Sequence, residues 1–132
     1  MTKRALILED TPQVVQALIS GLHKLEQKLD IDIEVDVLST QRATQLRNDS
    51  LNSVSYHLVL LDYFAPDGNF HVLDFESIGI GKVITISSIE EKNKLALKRG
   101  ANCSVAKNNP ITDNKVGEIM GKAEYILCTN VK

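Results

Sequence analysis

The sequence predicts an α/β fold, a single doubly wound five-stranded parallel sheet with helices on both faces. Strand-like apolar runs and helix-period segments alternate five times along the chain, an order that favours parallel strands joined by helical crossovers. Ala5-Leu6-Ile7-Leu8 and Leu58-Val59-Leu60-Leu61 are continuously apolar, as a strand must be when both of its faces are covered. Four of the predicted strands then run into polar residues, Glu9-Asp10, Asp62, Ser87 and Lys107. In such sheets ligands bind at the carboxyl ends of the strands.

The elements follow in order. Thr11 is placed to cap the first helix and Pro12 to fill its first turn, where a missing N–H goes unused. Val14, Val15, Leu18, Leu22, Leu25 and Leu29 continue at helical spacing to about Asp30. Ile31, Ile33, Val35 and Val37 alternate with Asp32, Glu34 and Asp36, the pattern of a strand with one wet side whose acids guard an edge. Ser39 or Thr40 opens a thin second helix through Ala43 and Leu46 to about Arg47, and residues 48–55 read as loop. The third strand delivers Asp62 to a Pro66-Asp67-Gly68 turn. A short helix is expected from Asn69 to Ile80, with a break at Gly79-Ile80-Gly81. Lys82 to Ser88 is the fourth strand. Ser88-Ile89-Glu90-Glu91 fits a capping box for a helix that carries Leu95 and Leu97 and stops at Gly100. Asn102 to Ala106 is the fifth strand. Asn109 as cap and Pro110 as first helical residue open a last helix with the stripe Val116, Ile119, Met120, Ala123, Ile126 and Leu127.

At 132 residues the chain fits one domain, 1–132, and a domain of this size buries roughly two-thirds of its unfolded surface. A net charge of -2 with scattered lysines and arginines lacks the basic footprint of a nucleic-acid surface. The two cysteines, Cys103 and Cys128, have no metal-ligand or redox spacing, so reduced structural thiols are expected. No signal-peptide core follows Met1-Thr2-Lys3-Arg4, and no apolar run approaches the length of a membrane span. A cytoplasmic protein without membrane partners is the expectation.

Over essentially its whole length the sequence resembles the receiver domain of two-component response regulators. The resemblance rests on the acidic pair in Leu8-Glu9-Asp10, on Asp62 followed by Pro66-Asp67-Gly68, on the hydroxyl in Ile86-Ser87-Ser88, and on Gly100-Ala101 followed by Lys107. It implies the flavodoxin-like strand order 2-1-3-4-5. It also implies that Asp62 accepts a phosphoryl group from a histidine kinase or histidine phosphotransfer protein in a Mg2+-dependent phosphorelay, and that the domain signals by contact with a downstream protein. Such a domain is a phosphoacceptor with at most slow self-dephosphorylation, not an enzyme.

The resemblance further implies roles for particular residues. Asp10 and Asp62 become direct Mg2+ ligands, Glu9 a ligand through water, and the backbone carbonyl of Phe64 the remaining protein ligand. Ser87 hydrogen-bonds one phosphoryl oxygen and Lys107 pairs with another. These residue types suit the chemistry, because phosphoryl transfer needs positioning and charge neutralisation and Mg2+ takes oxygen ligands while keeping several waters. Three clustered acids also raise one another's proton affinity, so a cation should stabilise them.

Two positions depart from the receiver pattern. Asn108 follows Lys107 where receivers carry a cis proline, and Ser104 stands where they carry Tyr or Phe on the fifth strand. The segments flanking Ser87 are also short, which implies trimmed third and fourth helices. These departures favour a rival reading, a pseudo-receiver that acts as a phosphorylation-independent interaction module. An FMN carrier is disfavoured by the acidic Glu9-Asp10 where a phosphate needs donors, and a HAD-type phosphatase by Asp62-Tyr63-Phe64, which lacks the second aspartate of that motif. His23, His57 and His71 are isolated and read as structural or surface residues. The blander readings make Glu9-Asp10 a dipole-complementing helix start and Asp62 a turn residue; Ser88 is assigned to the cap and Ser87 to the site.

Overall fold

The computed structural model describes residues 1–79 and 81–129. In chain order these form β1 (Thr2–Leu8), α1 (Pro12–Leu29), β2 (Asp32–Leu38), α2 (Gln41–Asn48), β3 (Leu58–Leu61), β4 (Phe64–Ala65), β5 (Gly68–Asn69), a 3-10 turn (Phe70–Val72), α3 (Phe75–Ile78), β6 (Val83–Thr85), α4 (Glu90–Lys98), β7 (Cys103–Ser104) and α5 (Asp113–Thr129). The main sheet has the order β2-β1-β3-β6-β7, and all of its pairs are parallel. Setting aside the small β4-β5 hairpin, this is the expected order, with the acid-bearing β2 at an edge.

The apolar strands separate two cores. Ala5 and Ile7 of β1, Leu58 and Leu60 of β3 and Ile84 of β6 pack with Val14, Leu18, Leu22 and Leu25 of α1 and Ile119, Ala123, Ile126 and Leu127 of α5. Leu6, Leu8, Val59, Leu61 and Val83 point the other way, onto Tyr56, Phe70, Leu73, Phe75, Ile78 and Ala96. Alternation along each strand thus sends successive side chains to opposite faces, and covering both requires the unbroken apolar pattern. Leu8 pairs with both Leu38 and Leu61, and Leu61 pairs with Thr85, so the carboxyl ends of four strands finish level.

Several local expectations are corrected. The helix expected over Asn69 to Ile80 is divided: Asn69 ends β5, a 3-10 turn covers Phe70–Val72, and α3 is only Phe75–Ile78; Ile80 lies outside the described residues. Asp74 restarts the helix by accepting hydrogen bonds from the Ser77 N–H and hydroxyl, while Arg99 donates to the carbonyls of His71 and Leu73. Those carbonyls then need no helical partner. The fourth strand is shorter than Lys82 to Ser88, because only Val83–Thr85 pair with β3, and of these only Ile84 and Thr85 pair with β7 as well.

The Ser88 capping box does not form, since Ile89 is the cap of α4 and makes no side-chain cap bond. Thr11 caps α1 by position, yet its hydroxyl makes no cap bond; Glu9 Oε2 accepts the Asp10 and Thr11 N–H groups instead. The last helix does not open at Asn109-Pro110. That peptide is cis, Asn108 has φ 62°, and α5 begins at Asp113, with Thr112 Oγ1 accepting the Lys115 N–H. At α2, Thr40 caps as expected by accepting from the Ala43 N–H. Among the described residues no helix is long and apolar enough to cross a membrane.

Candidate functional site

The level strand ends bring the polar residues together. β1 delivers Glu9 and Asp10, and Asp62 follows β3 with its N–H bonded to the Leu8 carbonyl at 3.0 Å. Ser87 follows β6, and Lys107 follows β7 with its N–H bonded to the Ile86 carbonyl. One carboxylate oxygen from each of Glu9, Asp10 and Asp62 lies within 4.8 Å of the others. Lys107 Nζ donates to Glu9 Oε1 at 2.5 Å and to Asp62 Oδ2 at 2.9 Å. Glu9 is 0% exposed, Asp62 5% and Lys107 9%, whereas Asp10 sits at the open mouth.

Charge in so dry a place needs charge opposite it. Burial, then the neighbouring Asp62 carboxylate, pushes the Glu9 pKa up, against the hydrogen bonds it accepts. Burial disfavours the Lys107 ammonium, but hydrogen bonds to Glu9 and Asp62 and the charges of both carboxylates outweigh it, and its pKa is raised. The ammonium therefore stays charged and holds two carboxylates. Lys107 reaches Asp62 although Asn108 follows it: the described cis peptide lies two residues farther on, at Asn109-Pro110.

Ser87 is 1% exposed, and its Oγ accepts the Ile89 N–H at 3.1 Å, which leaves the hydroxyl proton free to donate. Ser104, by contrast, is exposed on β7. Phe64 is half exposed and pairs with Asn69 across the β4-β5 hairpin, which Pro66 and Asp67 close. Asp67 also does something its turn position does not announce, accepting the Gln41 and Arg42 N–H groups at the start of α2.

The residue that sequence reasoning missed is Asn93 of α4, 3% exposed. Its Oδ1 accepts from the Thr85 hydroxyl at 2.7 Å and from the Ser87 N–H at 3.0 Å, and its Nδ2 donates to the Ser87 carbonyl at 2.8 Å. The available signal was a lone amide three positions before the buried Ala96, on the inward face of its helix. None of the histidines joins the acids. His57 Nδ1 accepts the Arg4 N–H, His23 stands beside Glu26, and His71 packs against Tyr63 and Phe75. Burial, then Arg99 and Lys92, lower the His71 pKa to about 4, and its buried Nε2 has no hydrogen-bond partner among the described residues.

The chain is similar in fold to solved structures of response regulators. The phosphorylated cyanobacterial phytochrome response regulator RcpA matches with a TM-score of 0.78 at 17% identity, over 99% of this chain and 98% of its own. The fold is that of response-regulator receivers. The Mn2+-bound form of the response regulator Rcp1 matches with a TM-score of 0.74 at 20% identity, over 98% of this chain and 97% of its own. A response regulator from Hahella chejuensis has a TM-score of 0.68 at 18% identity, over 98% of both chains. No protein-family model and no curated protein sequence matches the chain. On the receiver fold, Glu9, Asp10, Asp62, Ser87 and Lys107 all stand on one rim, as the sequence reading expected.

Proposed function

We propose that the protein is a phosphoacceptor that takes a phosphoryl group on Asp62 from a phosphohistidine donor, a histidine kinase or histidine phosphotransfer protein, and signals by contact with a downstream protein. The observation that carries this reading is the buried Lys107 ammonium bonded to Asp62 while a second and third carboxylate stand within reach of one cation. The all-oxygen donor set fits Mg2+, with Asp10 and Asp62 as direct ligands, Glu9 through water and the Phe64 carbonyl completing the protein's share. Bound there, Mg2+ supplies charge neutralisation for the transferring phosphoryl group. Asp62 provides the attacking carboxylate oxygen, Lys107 pairs with a phosphoryl oxygen, and Ser87 donates its free hydroxyl proton to another. A groove of about 510 Å³ runs from Asp10 past Pro12, Val15 and Ile19 to Val37 and suits an apolar helix of the donor.

Ser104 favours a second reading. Exposed on β7, it has no aromatic ring to move into a pocket, which suits a phosphorylation-independent interaction module. Incubation with acetyl phosphate and Mg2+ followed by mass measurement separates the two. A phosphoryl mass shift in the wild type and none in Asp62→Asn supports the phosphoacceptor. Equal masses before and after, in both proteins, leave the interaction module.

A further inference from the structure

The Ser87 backbone is held at both its N–H and its C=O by one side chain from another element. Asn93 accepts its N–H and donates to its C=O, and is itself anchored by the Thr85 hydroxyl. All three residues are at most 3% exposed, so water does not compete for these bonds, and each polar group left without its partner there is costly. β6 ends at Thr85. Beyond it sheet-type bonds still hold Ile86, whose N–H donates to the Leu61 carbonyl and whose carbonyl accepts the Lys107 N–H, whereas the N–H and C=O of Ser87 itself go to Asn93. The Ser87 backbone at the rim is thus held from α4 by a single amide, while its hydroxyl oxygen is held by the Ile89 N–H.

We propose that Asn93 is a positioning residue for phosphoryl binding, acting through Ser87. This rests on the phosphoacceptor reading above. By fixing the Ser87 peptide, Asn93 directs the hydroxyl, whose oxygen is occupied by the Ile89 N–H, to offer its proton toward the phosphoryl group on Asp62. A residue with a merely structural role lowers stability without regard to Ser87. A positioning residue loses its effect on phosphoryl binding once the Ser87 hydroxyl is gone.

The test is a double-mutant cycle on Asn93→Ala and Ser87→Ala, reading the affinity for beryllofluoride in Mg2+ by fluorine NMR and the urea stability of each protein in parallel. A hydrogen bond to a charged group is worth about tenfold or more in affinity, so each single variant is expected to bind about tenfold more weakly, and the double variant no more weakly than Ser87→Ala alone. Additive losses, or an Asn93→Ala protein that folds and binds as the wild type does, overturn the proposal. Thr85→Val, which removes only the anchor of Asn93, guards against an unfolded alanine variant: a smaller weakening that vanishes in the Ser87→Ala background supports positioning, and an unchanged or additive affinity opposes it. A wild type that binds no beryllofluoride removes the phosphoacceptor reading itself, whereas additive variants of a binding wild type remove only this inference.

Discussion

Two buried polar groups stand at the carboxyl ends of the strands, and they are built on opposite principles. On the β1 and β7 side, Glu9, Asp62 and Lys107 are charged and hold one another. On the α4 side the buried groups are neutral: Thr85, Asn93 and Ser87 satisfy one another by hydrogen bonds, and His71, facing Lys92 and Arg99, is kept uncharged by burial. The charged side leaves two carboxylates and a nearby third against one ammonium, which is the arrangement that answers to an added cation or an added phosphoryl group. The neutral amide network already has its partners and answers mainly to position. Sensitivity to ions is thereby separated from the part that sets geometry.

The comparison breaks most visibly at Lys107. Removing the cation from a buried pair costs about 3–5 kcal/mol, so Lys107→Met is expected to lose that much in urea unfolding at neutral pH without Mg2+. An unchanged midpoint would show that the carboxylates do not depend on the ammonium. Next in size is the response to Mg2+ itself. At 100 times its dissociation constant a ligand adds about 2.7 kcal/mol, and thermal melts should show that gain in the wild type and lose most of it in Asp10→Asn. A melting temperature indifferent to millimolar Mg2+ would remove the metal site.

The smallest effect sharpens the neutral side. The folded pKa of His71, about 4, lies below its ordinary value of 6.5. The unfolded chain therefore binds more protons in that window, and stability present above pH 6.5 is lost as the pH falls toward 4. With screening of a half-buried group, the loss is roughly 1–2 kcal/mol. His71→Phe should flatten the stability curve over that window relative to the wild type; parallel curves would place the proton elsewhere.

How much was legible follows from what each signal depends on. The central strands, α1 and the stripe of α5 were readable because burial on one or both faces imposes a periodicity that the residues themselves display. The rim residues were readable because level strand ends convert sequence positions into neighbours. The α3 region was misread: Phe70, Leu73, Phe75 and Ile78 are buried, but Asp74 and the distant Arg99 satisfy the backbone and divide the helix. The start of α4 was misread for a similar reason, because the Ser87 hydroxyl rather than Ser88 engages the backbone there.

The sequence by itself determined the alternation of elements, the two-faced core and which side chains reach the carboxyl rim, since these depend on apolar periodicity and on where each apolar run stops. Only the tertiary structure decided that Lys107 grips Glu9 as well as Asp62, that Asp67 caps α2 from across the site, and that Asn93 clamps Ser87. Those are bonds between residues far apart in the chain or on different elements. Their partners are selected by packing geometry, to which no local pattern of residues refers.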